Sequence, residues 1–140
     1  RSADGVLMLM HDQTLDRTTT GTGPLAGQTY RQLRQFWVRE GAGEPTDERI
    51  PTLEEALVWA KRRGAVLQLD IKPGVPVAEV VKHVRANRME PQVILIAYSL
   101  ADTRAALKLA PDMMVSASGR TPAETAELLR IASPRMLGFT

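Results

Sequence analysis

Leu67-Gln68-Leu69-Asp70-Ile71-Lys72, closed by Pro73-Gly74, is the stretch that decides how this sequence folds. Apolar and polar residues alternate strictly. Strand side chains alternate between faces, so Gln68, Asp70 and Lys72 share one face and Leu67, Leu69 and Ile71 the other. Pro73-Gly74 then ends the strand. On both sides the period becomes helical. Leu53, Ala56, Leu57 and Ala60 follow i, i+3, i+4, i+7, and so do Val77, Val80, Val81 and Val84. Apolar runs of strand length recur at Ala65 to Ile71, Val93 to Tyr98, Met113 to Ser116 and Met136 to Phe139. Strands alternating with helices predict an α/β fold with a parallel sheet and right-handed crossovers. Parallel sheets are covered on both faces, so a charged pair at a strand end is costly to bury unless paired or bound to something. The alternative is a surface edge strand carrying an ordinary Lys–Asp pair, and the alternation leaves both open.

Capping chemistry marks the helix starts. Thr29 precedes Gln32, Thr52 precedes Glu55 and Thr121 precedes Glu124, each a capping box that satisfies two orphaned backbone donors reciprocally. Pro122 takes the favoured first helical position, and Ser99 before Leu100 is a fourth cap. Between Gly21 and Pro51 lies a Gly- and Pro-rich excursion with one short helix predicted around Tyr30 to Trp37. Long connections of this kind are uncommon in compact domains and are often functional. Tyr30, Phe36 and Trp37 there either line a pocket or pin the helix down.

A further strand is predicted in Val6-Leu7-Met8-Leu9-Met10, ending at His11-Asp12 before the polar Gln13-Thr14-Leu15-Asp16-Arg17-Thr18-Thr19-Thr20-Gly21. An imidazole at a strand's carboxyl end points into the crevice where ligands bind in parallel α/β proteins; a histidine that merely caps a turn fits the local pattern equally. Arg17 either reaches an anionic ligand or pairs with Asp12 or Asp16. His83, beside Lys82 and Arg85, falls off the apolar face of its helix and is expected to be solvated. Met8, Met10, Met113 and Met114 read as core filler. Counting Val6 to Met10, about five strands are expected, whereas a closed (β/α)8 barrel takes eight in about 250 residues. The chain therefore predicts a small open α/β sheet or part of a barrel.

Composition excludes several classes. The 140 residues suffice for one domain with a real core, and 44% hydrophobic with 24% charged residues is ordinary for a globular protein. Net charge is +2, the arginines are scattered, and no basic stripe interleaves with aromatics, so no nucleic-acid partner is expected. No apolar run spans a bilayer and no signal peptide is visible, so no stable membrane insertion is expected. Absence of cysteine excludes thiolate metal sites and leaves the compartment open, with the cytoplasm as default.

The motifs taken together resemble the glycerophosphodiester phosphodiesterase family. Asp4-Gly5-Val6 through His11-Asp12, then Leu15-Asp16-Arg17-Thr18-Thr19 and Gly21-x-Gly23, carry the likeness. Ile50-Pro51-Thr52-Leu53-Glu54-Glu55 resembles the family's Pro-Thr-Leu-x-Glu helix start, and Asp70-Ile71-Lys72 stands where the family has Glu-x-Lys. The resemblance implies a (β/α)8 TIM-type barrel that hydrolyses glycerophosphodiesters to an alcohol and glycerol 3-phosphate, within lipid and glycerol metabolism. It implies a divalent metal, Mg2+ or Ca2+. It makes His11 a general acid/base, Asp70 a metal ligand, and Lys72 a catalytic residue that contacts the phosphate; Arg17 is taken beside them as a substrate-binding residue, pairing with Asp12 or Asp16 being its alternative. Asp for Glu at position 70 keeps the carboxylate and shortens its reach by one methylene. The family's His-Arg and Glu-x-Asp motifs precede the segment matching Ser2 to Gly5. Residues 1–140 are therefore expected to form a single, incomplete barrel domain with the 21–51 excursion, inactive alone and prone to self-associate through open sheet edges. A phospholipase-D-like activity on lysophospholipids, or a non-catalytic barrel remnant, are the alternatives. His11, Asp70 and Lys72 are expected to converge on one pocket.

Overall fold

The computed structural model describes residues 1–41, 43–131 and 135–139; Ala42 of the excursion and Thr140 at the end of the expected domain lie outside them. The chain divides into two compact units, Arg1–Ala56 and Leu57–Thr140.

In the first unit a small core forms from Leu15, Leu25, Leu33 and Ile50, with Met8, Met10, Phe36 and Val38 packed against it. The helix α1 spans Tyr30–Leu33, with the Thr29–Gln32 capping box present in both directions. It stops well short of Trp37. Trp37-Val38-Arg39 instead forms the strand β1, antiparallel to β2, Pro45–Arg49, with Trp37 opposite Arg49. This hairpin corrects the single-helix reading of the excursion. Its cause is tertiary: Thr20 N donates to Trp37 O at 2.9 Å, Arg39 N donates to Thr18 O at 2.8 Å, and the Arg49 guanidinium stacks 3.0 Å from the Trp37 ring centroid. Neighbours on both sides satisfy the backbone, so an extended conformation wins over a second helical turn.

Val6 to Met10 is not a sheet strand. Met8 makes one isolated bridge, with Thr52. That bridge is closed by Leu9 N donating to Pro51 O and Leu53 N to Leu7 O, both at 2.9 Å, and Val6 N is taken locally by Ser2 Oγ at 2.8 Å. The apolar run serves the small core through Met8 and Met10 instead of a ladder.

Helix α2, Leu53–Arg63, opens on the Thr52–Glu55 box. The second unit then repeats strand and helix: β3 Leu67–Asp70, α3 Val77–Ala86, β4 Val93–Ala97, α4 Leu100–Leu109, β5 Met114–Ser118, α5 Pro122–Ile131 and β6 Met136–Phe139. The four strands pair in parallel in the order β3-β4-β5-β6. Leu69, Val93, Leu95, Ala97, Val115 and Ala117 are buried along the sheet, and Val77, Val80, Val81 and Val84 bury the face of α3 that the periodicity marked. Each fully buried Val or Leu contributes roughly 1.5–3 kcal/mol. Met113 is fully buried, as expected of core filler.

The remaining caps form with one change. Ser99 Oγ accepts from Asp102 N at 3.0 Å, and Thr121 Oγ1 from Glu124 N at 3.2 Å. Glu124 reaches back to Arg120 N, at 2.8 Å, one residue beyond the expected partner. His83 is half-buried on α3. The described sheet is α/β and parallel as expected, with four strands and no closed barrel among the described residues. Among them, no helix is long and apolar enough to cross a membrane.

Candidate functional site

Two clusters hold the residues marked in the sequence, one in each unit. In the first, Leu15 is fully buried and anchors the loop: its N donates to Gly23 O at 2.9 Å, and its carbonyl accepts from Thr19 N at 3.1 Å and from Thr19 Oγ1 at 2.7 Å. The chain curls over residues 15–19 and carries Arg17 back to Asp12. Arg17 Nε donates to Asp12 Oδ2 at 2.6 Å and Nη2 to Asp12 Oδ1 at 2.8 Å, a two-pronged fork. His11 Nδ1 lies 2.7 Å from Asp12 Oδ1, and the imidazole side chain is 78% exposed.

The Arg17 hydrogen bonds, and then the contact with His11, hold the Asp12 carboxyl well below the usual carboxylate range. The same carboxylate raises Arg17 above its ordinary value. Of the alternatives for Arg17, the structure shows the pairing with Asp12. Asp16 is engaged elsewhere, its Oδ2 accepting from Gly23 N at 3.0 Å. In the sequence Asp12 stands only as one of two acids within reach of Arg17; an acid next to the candidate histidine is the signal that marks it as part of the site.

In the second unit Asp70 closes β3, and Lys72 follows it into a turn. Val75 N donates to Lys72 O at 3.1 Å, with Pro73 at the second position and Gly74 at φ +85° at the third. That is a type II turn, which requires positive φ where Gly74 stands. The turn brings Lys72 Nζ to Asp70 Oδ2 at 2.6 Å, with side chains 32% and 28% exposed respectively. Asp70 Oδ1 is buried and has no hydrogen-bond partner. A buried carboxylate oxygen left unpaired is costly, and its chemistry suits a hard-cation ligand. It amounts to one ligand, however. Ca2+ takes six to eight oxygens, and among the described residues no group of three or more His, Cys, Asp or Glu side chains could hold a metal ion.

Of the aromatics, Phe36 packs against the small core and Trp37 carries Arg49 on its ring, so both fix the excursion in place. His11, Asp12 and Arg17 are brought together, as are Asp70 and Lys72.

Comparison with known proteins follows the same residues. The family model described as "Glycerophosphoryl diester phosphodiesterase family" matches residues 1–136. Glycerophosphodiester phosphodiesterase 1 of Mus musculus is 42% identical over 74 residues, covering 51% of this chain and 22% of that protein. Among solved structures, a glycerophosphoryl diester phosphodiesterase from Parabacteroides distasonis superposes with a TM-score of 0.84 at 32% identity, over 98% of this chain and 48% of that one. An Oleispira antarctica phosphodiesterase, solved with the product sn-glycerol-3-phosphate, shares the fold with a TM-score of 0.71 at 23% identity, over 93% of this chain and 56% of that one. The likeness implies a TIM-type barrel. The chain spans about half the length of these solved structures, and less of the curated mouse relative.

Proposed function

We propose that this chain, which belongs to the glycerophosphoryl diester phosphodiesterase family, is part of a metal-dependent enzyme that hydrolyses glycerophosphodiesters to an alcohol and glycerol 3-phosphate, and that residues 1–140 form one incomplete barrel domain of it. The observation that carries the reading to particular residues is the Asp70–Lys72 pair at the carboxyl end of β3, with one carboxylate oxygen buried and unpartnered. A relative of this fold was solved with sn-glycerol-3-phosphate bound, which supports a glycerophosphoryl substrate.

A phosphodiester is an anion, and its charge resists attack. Lys72 places an ammonium against the phosphoryl oxygens. Asp70 Oδ1 supplies one ligand to Mg2+ or Ca2+, which when bound neutralises charge on those oxygens. His11 moves the proton: water forms the new bond to phosphorus, the bond to the alcohol oxygen breaks, and that oxygen leaves protonated. Such transfer contributes roughly 10²–10⁴-fold. Arg17 spends Nε and Nη2 on Asp12, so any substrate contact from it comes through Nη1.

The test is hydrolysis of a glycerophosphodiester by the full-length protein over a range of Mg2+ and Ca2+. His11→Ala should lower turnover by about 10²-fold or more without unfolding the protein, because an exposed ring leaves no cavity. Asp70→Asn should need more metal, since the amide keeps the shape and removes the charge. Near wild-type turnover in His11→Ala refutes the acid/base role. An unchanged metal requirement in Asp70→Asn makes the Asp70–Lys72 pair structural. Faster release of the headgroup alcohol from a lysophospholipid than from the glycerophosphodiester would replace the substrate assignment.

A further inference from the structure

We infer that Asp12 and Arg17 are positioning residues for His11: the carboxylate fixes which ring nitrogen carries the proton, and the guanidinium fixes the carboxylate. The inference rests on the proposed proton-transfer role of His11.

The geometry needs no substrate to be read. A carboxylate accepts hydrogen bonds and does not donate them, so the 2.7 Å contact requires the proton on His11 Nδ1. The lone pair of the neutral ring then sits on Nε2, the nitrogen that Asp12 does not engage. With 78% of the side chain exposed, that nitrogen is open to water and ligand. A carboxylate beside a histidine does this work only if it keeps its own orientation and charge. Arg17 secures both by taking one oxygen with Nε and the other with Nη2, at 2.6 and 2.8 Å. Arg17 also holds Asp12 ionised far into acid, which keeps it an acceptor throughout a proton-transfer cycle.

Local backbone makes the contact possible. Consecutive side chains on a strand point to opposite faces. His11 and Asp12 lie in a bend beyond the Met8 bridge, and there two neighbouring side chains can meet. The buried Leu15 closes the curl that returns Arg17 over the same carboxylate. In the reaction, Nε2 takes the proton of the attacking water or gives one to the departing alcohol oxygen. Asp12 stays ionised and steadies the imidazolium formed in between.

The experiment pairs ring-nitrogen NMR with kinetics in the full-length protein, His11 being assigned by His11→Gln. The neutral wild-type ring should carry its proton on Nδ1. Asp12→Ala should abolish that preference and lower kcat on the order of 10²-fold, with little change in KM. Asp12→Asn serves the same kinetic test if the Ala variant folds poorly. Arg17→Gln should lower kcat about tenfold, as for loss of one charge-assisted hydrogen bond, again with KM nearly unchanged. The double variant should be no worse than Asp12→Ala, because both act through one path. An unchanged tautomer in Asp12→Ala overturns the inference. So does an Arg17→Gln enzyme with raised KM and wild-type kcat, which would make Arg17 a substrate contact. Loss of the tautomer preference in a protein whose wild type does not hydrolyse glycerophosphodiesters would uphold the positioning and sink the proposed function instead.

Discussion

Thr52 offers a stability test whose size can be worked out from its contacts. Its Oγ1 accepts from Glu55 N at 3.0 Å, and Glu55 Oε2 accepts from Thr52 N at 2.8 Å. The side chain is buried, 7% exposed. The cap also anchors the segment leading to His11, because Leu53 N donates to Leu7 O and Leu9 N to Pro51 O on either side of the Met8–Thr52 bridge. Thr52→Val keeps the volume and removes the hydroxyl, leaving Glu55 N without its cap, at about 1 kcal/mol with a range of 0.5–2. Thr52→Ser keeps the hydroxyl and removes a buried methyl, at roughly 0.8 kcal/mol. Thr52→Ala loses both, about 2 kcal/mol in total. The cost is not larger, because Arg34 Nη1 contacts Glu55 Oε2 at 3.3 Å and keeps the carboxylate near Thr52 N in every variant. Urea unfolding of the full-length protein reads these values. With a slope of about 1–3 kcal/mol per molar, the Ala midpoint should fall by about 1 M, with Val and Ser between it and wild type. A Val variant with the wild-type midpoint would refute the cap. A Val variant equal to Ala would show that the methyl contributes nothing.

Other expectations follow from single contacts. The Asp12 carboxyl lies below its ordinary 3.8 in the folded chain, so its contribution is present above that value and lost as pH falls through the folded one; carboxyl 13C shifts should show it ionised at about pH 3, with Arg17→Gln returning its titration toward 3.8. Gly74→Ala should destabilise by about 1–2 kcal/mol, read by thermal melting, because φ is +85° while the added Cβ meets nothing within 4 Å; an unchanged melt would mean that the turn relaxes without strain. Strands β3 and β6 end the described sheet, and exposed edges invite pairing, so the 140-residue chain taken alone should self-associate in sedimentation; a stable monomer with one cooperative melt would contradict this.

What the sequence determined by itself was what local chemistry governs. Alternation located β3, apolar runs of strand length located β4 to β6, period-3.6 spacing located α2 and α3, and capping residues marked the starts of α4 and α5, because each is a property of neighbouring side chains. The Thr and Ser caps formed because a hydroxyl needs no distant partner to reach an amide three residues on. Asp70 and Lys72 were legible as a pair because alternation puts residues two apart on one face, although the strand ends at Asp70 and the turn after it brings the ammonium to the carboxylate. Tertiary structure decided the rest. Val6 to Met10 has the composition of a strand, but ladder formation depends on a neighbour, and its hydrogen bonds went to Ser2, Pro51 and Leu53. Trp37 read as helix and became a strand because Thr18, Thr20 and Arg49 were waiting beside it. Arg17 had two acids within reach along the chain. Burial of Leu15 turned the loop so that Asp12 received the fork and Asp16 went to Gly23 N, a choice made by where a hydrophobic side chain could be hidden and not by the order of the charges.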